Sequence, residues 1–367
     1  MRILQIITPR RFSGAERVCA QLCEGLQRRG HEVLVATKPV PDFMGDLARR
    51  GVAIENVRVQ NKFDFSRPLA IARVIRRFRA DIVHTHLSTA SQWGMTGAYL
   101  AGVPSVAHVH AMSRAIWYIW ATHTIACAEA VREYLIRQGR PPDRISTVYN
   151  AVDLPAPGGL DPAEARLRLG IPADARLIAV AAHLSPKKGI HVLLRSLAAL
   201  RPRFPDVHCA VMGEGGYRGA LERLADELGV AACVHFAGFR DDAREIMGAA
   251  DVVCLPSVRG EGLPLCVLEG SVRSRPVVAT ELGGVRESVL DGESGFVVAP
   301  GDPQELADRL GVLLADADLR ERMGRAGRAL VLSRFNLEGQ VMGVEAVYRR
   351  ALETKQSGRH RPQAPGS

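Results

Sequence analysis

The chain has 367 residues, of which 47% are hydrophobic, with mean hydropathy +0.01 and a formal charge of +9. That is enough for two domains with proper cores, and the apolar content excludes a disordered or low-complexity protein. No stretch approaches the ~20 apolar residues of a membrane span, and the opening apolar run is too short for a signal peptide, so the sequence predicts a soluble, cytoplasmic chain. Seven cysteines, at 19, 23, 127, 209, 233, 254 and 266, are scattered without a C-x2-C pair. They read as buried reduced thiols, not as a disulfide frame.

Strand-like and helix-like segments alternate from the start, the signature of a parallel sheet with crossover helices. Ile3–Ile7 reads as a strand, followed by a loop over Pro9–Gly14 and an amphipathic helix from Ala15 to Arg29 that ends at Gly30. Strands follow over His31–Ala36, Ile54–Val59, Asp81–His86, Ser105–His110, Thr124–Cys127 and Ile145–Tyr149, which makes one Rossmann-like domain over residues 1–154. This first part is basic: residues 1–150 hold 21 Lys and Arg against 11 Asp and Glu, and the remainder holds 27 against 28. The densest cluster, Arg73, Arg76, Arg77 and Arg79, lies on a predicted helix from Arg67 to Arg79. A solvated helix face and a docking surface for anionic lipid headgroups both fit it. Nucleic acid does not, because neither aromatic interleaving nor a known module accompanies the charge.

Pro155-Ala156-Pro157-Gly158-Gly159 reads as the linker. A second round, over residues 155–335, has strands at Leu177–Ala182, Cys209–Met212, Val234–Phe236, Val252–Leu255, Val277–Thr280 and Phe296–Val298, with a helix at Ile190–Leu200. Helices then cover Pro303–Leu314, Leu319–Leu332 and Leu337–Leu352. The C-terminal helices are expected to pack back on the N-terminal domain, with a separate last helix over 336–354 and a disordered polar tail over Lys355–Ser367.

The stretch with most chemistry is Glu261-Gly262-Leu263-Pro264-Leu265-Cys266-Val267-Leu268-Glu269. It follows a buried-strand pattern, Asp251–Pro256, and places Pro264 as the first residue of a helix. A helix start offers free N–H groups to phosphate. A carboxylate repels phosphate and accepts hydrogen bonds, so two of them flanking an anion seat point to hydroxyls. A nucleotide sugar has that layout, with sugar on one side of the diphosphate and ribose on the other. Two solvated surface carboxylates are the plain alternative.

Other constellations fall at the ends of predicted strands, where open α/β sheets bind ligands. Ser13-Gly14-Ala15-Glu16 closes the first loop, with Gly14 allowing close backbone approach. His84-Thr85-His86 and His108-Val109-His110 end two successive strands, and side chains two apart share a face. Four such histidines are formally a zinc set, but no carboxylate or thiolate pattern accompanies them, and no metal is assigned. Ala182-His183-Leu184-Ser185-Pro186-Lys187-Lys188-Gly189 and Gly213-Glu214-Gly215 follow strands of the second round. Asp316-Ala317-Asp318 has the form of a metal-binding D-x-D, but joins two helices and reads as a helix cap.

From residue 2 to about 350 the chain resembles the family 4 retaining glycosyltransferases of GT-B fold, two Rossmann-like domains facing across a cleft. Glu261 to Glu269 matches the E-x7-E motif. The resemblance implies that Glu261 and the Gly262 and Leu263 amides contact the donor sugar, and that Glu269 contacts the ribose. It also implies that Lys188 and position 183 bind the diphosphate, that Gly14 and Glu214 line the donor loops, and that His110 lies near the reaction centre. His86 is a weaker match on the acceptor side. Position 183 is Arg in the family and His here. His has two nitrogens and titrates near neutrality, whereas Arg is a permanent five-donor fork, so weakened or pH-sensitive donor binding is expected.

The implied reaction moves a sugar from a nucleoside-diphosphate donor, UDP slightly favoured, to a hydroxyl of a cell-envelope or lipid-linked glycan. It proceeds with retention and needs no metal or further cofactor. The basic first domain suggests a peripheral place on the inner face of the membrane. His183 motivates the alternative of a non-catalytic sugar-nucleotide-binding protein. An epimerase or phosphorylase of the same fold has no separate motif.

Overall fold

The computed structural model describes residues 1–9, 12–57, 66–155 and 158–359, which form two compact units. The first comprises Met1–Ala151 together with the last helix, from Leu337 on, and the second Val152–Asn336.

In the first unit, strands β1 (Arg2–Ile7), β2 (Glu32–Thr37), β3 (Ala53–Asn56), β4 (Ile82–His86), β5 (Ser105–Val109), β6 (His123–Ala126) and β7 (Ile145–Thr147) form one sheet. The order is β3-β2-β1-β4-β5-β6-β7, and every pairing is parallel. Parallel strands need crossovers and are covered on both faces, and the near-continuous burial of β1, β4 and β5 follows from that. The crossovers are α1 (Gly14–Arg28), α2 (Pro41–Arg49), α3 (Arg67–Phe78), α4 (Ser88–Ala101) and α5 (Glu129–Arg137).

The second unit opens with α6 (Pro162–Leu167). It continues through β8 (Arg176–Ala181), α7 (Ile190–Leu200), β9 (Val207–Met212), α8 (Arg218–Glu227), β10 (Val234–Gly238), α9 (Ala243–Ala249), β11 (Val252–Leu255) and α10 (Leu265–Ser271). It ends with β12 (Val277–Thr280), α11 (Val285–Ser288), β13 (Gly295–Val298), α12 (Pro303–Ala315) and α13 (Ala317–Arg334). Its sheet, β10-β9-β8-β11-β12-β13, is also parallel throughout. Asp302 caps α12 by accepting from the Gln304 and Glu305 amides, and Asp316 caps α13 by accepting from the Leu319 amide. Asp316 therefore serves as the cap its position suggested.

Helix α14 (Leu337–Arg359) belongs to the first unit, whereas α12 and α13 belong to the second. Its Val341, Val344, Val347, Tyr348 and Ala351 complete the core under β1, β4, β5 and α1. Glu345 holds it there, accepting from Arg29 at 2.8 and 2.9 Å and lying 2.8 Å from the His31 ring. These partners, Arg29 foremost, hold the Glu345 carboxyl down to about 2. The tail expected from Lys355 is helical as far as Arg359, and the rest of it lies outside the described residues, as do residues 58–59 of the expected Ile54–Val59 strand. The remaining strands lie within two residues of their expected bounds. All seven cysteines are free and six are fully buried.

Candidate active site

In the second unit the strand order turns at β8, which has β9 on one side and β11 on the other. Open α/β sheets bind ligands beside such a switch point, at the carboxyl ends of the strands. The loops leaving β8 and β11 meet there. The Val258 amide donates to the Lys187 carbonyl at 2.9 Å. Gly189 has φ +67°, and a Cβ on it would stand 1.7 Å from the Pro256 carbonyl oxygen. Only glycine combines that backbone with that approach.

This junction brings Lys188 to Glu261. The Lys188 ammonium donates to Glu261 Oε1 at 2.5 Å, and Ser257 Oγ donates to the same oxygen at 2.5 Å. Glu261 is buried, and Lys188 keeps about a fifth of its side chain exposed. The loop after β12 closes on the same residues from the other side. Gly283, at φ +54°, would place a Cβ 2.4 Å from the Glu261 carbonyl oxygen, and the Gly284 amide donates to Gly262 at 2.6 Å. Gly262 and Leu263 are buried, and among the described residues neither of their amides has an acceptor. Pro264 stands one position earlier than expected, as the N-cap of α10, because its ψ of 114° is still extended. Glu269, buried, is the fifth residue of α10.

The Gly213–Gly215 turn packs on the start of the β8 loop. The Leu184 amide donates to the Glu214 carbonyl at 2.9 Å, and a Cβ on Gly213 would stand 1.9 Å from the Ala182 carbonyl oxygen. Half-buried His183 therefore lies beside the turn that carries exposed Glu214. Gly14, in the first unit, is exposed and is the first residue of α1. Ser13 caps that helix, and its amide and hydroxyl donate to the Glu16 carboxylate at 3.0 and 2.6 Å. This belongs to a capping box, and it gives Ser13 a local role at the start of α1.

The four strand-end histidines of the first unit form one stack. Ring centroids are 4.5 Å apart for His84 and His86, 4.2 Å for His108 and His110, and 5.2 Å for His86 and His110. The planes in these pairs differ by 16°. Among the described residues, nitrogens of His84, His86 and His108 lie within 4.8 Å of one another, and no carboxylate or thiolate joins the group. Burial lowers the pKa of all four, that of His110 to about 4, so the stack is neutral at pH 7. His86 is wholly buried. Its Nδ1 meets His110 Nε2 at 2.9 Å and its Nε2 meets Gln5 Oε1 at 2.9 Å, so it has no nitrogen left to offer an acceptor. Leu87, the next residue, has φ +67°, a strained conformation for a side chain of that size.

A separate surface of the same unit is apolar. Leu69, Tyr99, Leu100, Ile116, Ile119 and Trp120 are each 42–74% exposed. The Tyr99 and Trp120 rings are 6.4 Å apart, and Arg76 donates to the Leu100 carbonyl at 2.7 Å. Arg73, Arg76 and Arg77 are exposed on α3.

Ser257, Thr280, Gly283, Gln5 and Tyr348 support these sites without having been singled out in the sequence. Gln5 carried a signal, as a polar residue inside a buried run. Ser257 acts on Glu261, four residues on, and Thr280, Gly283 and Tyr348 act through contacts between distant segments.

Two family models match the chain, Glycosyltransferase Family 4 over residues 12–155 and Glycosyl transferases group 1 over residues 162–330. The D-inositol 3-phosphate glycosyltransferase of Acidothermus cellulolyticus is 30% identical over 310 residues, 76% of this chain and 68% of the relative. The lipopolysaccharide core biosynthesis glycosyltransferase LpsE of Rhizobium meliloti is 27% identical over 329 residues, 89% and 92% of the two chains. With the D-inositol 3-phosphate glycosyltransferase of Corynebacterium urealyticum the match reaches 42% identity but spans only 39% of that protein's length. Among solved structures, Anabaena HepE in complex with UDP-glucose superposes with a TM-score of 0.82 at 24% identity, covering 97% of this chain and all of HepE.

The close approach at Gly189 makes a direct prediction. Gly189→Ala should destabilise the second unit by more than about 1 kcal/mol in urea unfolding, through both backbone strain and displacement of the Pro256 loop. Gly216→Ala, at an exposed position with open space around it, should stay within about 0.5 kcal/mol of the parent. Equal effects at the two positions would contradict the tight junction.

Proposed function

The chain belongs to glycosyltransferase family 4, and on that premise we infer that it moves a sugar from a nucleoside-diphosphate donor to an acceptor hydroxyl, with retention at the anomeric carbon. The observation that carries this reading is the meeting, at the switch point of the second sheet, of Lys188, Glu261 and two amides that have no acceptor among the described residues. Glu261 has one oxygen engaged by Lys188 and Ser257. Its other oxygen and the Gly262 and Leu263 amides are assigned to the donor sugar, and Glu269 to the ribose. Lys188 and His183 are assigned to the diphosphate, with Glu214 flanking it.

In the step itself the bond between the anomeric carbon and the phosphate oxygen breaks, and a bond to the acceptor oxygen forms on the same face. The departing phosphate oxygen takes the acceptor proton, and no side chain is assigned as a covalent nucleophile. Charge grows on the diphosphate as it leaves. Fixed donors aimed at growing charge usually contribute the largest part of a rate enhancement, and here Lys188 and the loop amides take that part without a metal ion. UDP is the favoured nucleotide, supported by HepE having been solved with UDP-glucose.

LpsE supports a cell-envelope or lipid-linked glycan as acceptor. The apolar patch around Trp120 and Tyr99, beside the cations of α3, supports a peripheral place on an anionic bilayer. Exposed aromatics sit at the headgroup level and cations are drawn to anionic lipid. Among the described residues no helix is long and apolar enough to cross a membrane.

A panel of UDP-, GDP- and ADP-sugars scored by thermal shift tests the donor assignment. One nucleotide sugar should stabilise the chain, by about 2.7 kcal/mol at a hundredfold excess over Kd, and Glu269→Ala should abolish the shift. No shift from any donor between about pH 6 and 8 would favour a protein that has lost the ligand at His183. Flotation with anionic vesicles tests the membrane surface. The parent should float and Tyr99→Ser/Trp120→Ser should remain at the bottom, whereas equal flotation of both removes the patch from the account.

A further inference from the structure

A carboxylate keeps one oxygen turned to a ligand when its other oxygen is held. In the second unit a buried serine does part of that holding. Ser257, wholly buried, lies in the loop after β11. On one side of it the Pro256 carbonyl packs against Gly189, and on the other the Val258 amide donates to the Lys187 carbonyl at 2.9 Å. The backbone at Ser257 is therefore fixed from both ends. Its hydroxyl donates to Glu261 Oε1 at 2.5 Å, and the Lys188 ammonium donates to the same oxygen at 2.5 Å. Strands β11 and β12 pair with Leu255 opposite Ala279, which puts the next residue, Thr280, beside the strand end from which this loop departs. The buried Thr280 hydroxyl donates to the Ser257 carbonyl at 2.5 Å and reaches the Leu255 carbonyl at 3.4 Å.

These bonds run in one direction only. Carbonyl and carboxylate oxygens accept, an ammonium donates, and each hydroxyl has a single proton to give. The Thr280 proton goes to a carbonyl, and the Ser257 proton goes to Glu261. Oε1 is thus held by two bonds to a charged group, which are shorter and stronger than neutral ones. One bond alone would let the carboxylate swing about it, whereas two that arrive from different loops fix its plane. Oε2 has no hydrogen-bond partner among the described residues and keeps access to solvent.

We propose that Ser257 is a positioning residue that raises the affinity of the seat for a nucleotide sugar relative to the free nucleoside diphosphate. It does so by fixing the plane of the Glu261 carboxylate, so that Oε2 stays turned to a sugar hydroxyl, while Thr280 holds Ser257 from behind. This rests on the assignment of Glu261 to the donor sugar. A nucleoside diphosphate has no sugar hydroxyl to offer Oε2, so Ser257 bears on the sugar half of the ligand alone.

The test is calorimetric titration of the full chain with UDP-glucose and with UDP. If the donor panel singles out another nucleotide sugar, that one and its nucleoside diphosphate replace the pair. Ser257→Ala should weaken UDP-glucose about tenfold, the loss of one hydrogen bond to a charged group, and leave UDP within about twofold of the parent. A loosened loop would displace Lys188 as well and weaken both ligands alike, so equal losses, or no loss on either, overturn the proposal. Thr280→Val keeps the shape of the side chain and removes its hydroxyl. It should show the same selective loss, about threefold, as for a neutral hydrogen bond, and it decides the matter if Ser257→Ala does not fold. Glu261→Ala tests the assignment beneath, and should lower the affinity for UDP-glucose relative to UDP. If that ratio survives Glu261→Ala, Glu261 does not meet the sugar and both readings fall. If Glu261→Ala lowers it and Ser257→Ala does not, only the role of Ser257 falls. A parent chain that binds no member of the panel also overturns both.

Discussion

A carbonyl oxygen and a glycine, Pro256 and Gly189, come closer in this chain than any side chain at position 189 would permit. The proposed donor seat depends on that contact. It lets the loop after β8 lie against the loop after β11, and only then does Lys188 reach Glu261. Gly283 repeats the device from the third loop, against the carbonyl of Glu261 itself. Three loops from adjacent strands are thereby locked around one carboxylate, with its oxygen aimed by Ser257 and the Ser257 carbonyl in turn accepting from Thr280. Groups held this way need little reorganisation when charge develops beside them.

The electrostatics of the seat are modest. Lys188 is already paired with Glu261, and removing either partner would leave the other charge largely buried and uncompensated. On the proposed assignment, a diphosphate entering here meets one engaged ammonium, two amides and an imidazole at position 183 instead of a guanidinium. The seat is built for recognition by position more than by net charge, which suits a ligand that offers hydroxyls to the two glutamates as well as phosphate to the cation. The first unit follows a different economy, with four neutral imidazoles inside an apolar face. Among the described residues His108 has no partner for either nitrogen, a loss of about 1–3 kcal/mol for each unpaired group.

Much of this was legible in the sequence, and the reasons differ by residue. The parallel sheets follow from alternating strand and helix periods, and Glu261, Gly262, Leu263 and Glu269 from a carboxylate pair around a helix start. His84 and His86 announced a shared face by their spacing alone. Other features were out of reach. Pro264 fits equally well before a helix and at its first turn, so its one-position displacement depends on a ψ angle that sequence does not encode. The continuation of α14 to Arg359 is hidden by a polar composition. Tyr348 and Gln5 meet across almost the whole chain, and no local pattern predicts a hydrogen bond at that separation. His86, matched to the acceptor side by motif, is held inside the core by two bonds that exist only in the folded sheet.

The most direct test of the account is a double-mutant cycle on Lys188 and Glu261, read as affinity for the donor that stabilises the parent chain. Each alanine substitution alone should weaken binding by about tenfold or more, close to 1.4 kcal/mol. The double substitution should lose less than the product of the two, because the residues act as one hydrogen-bonded unit. A double variant that binds the donor as tightly as the parent would contradict the placement of the donor seat at the junction of the β8 and β11 loops.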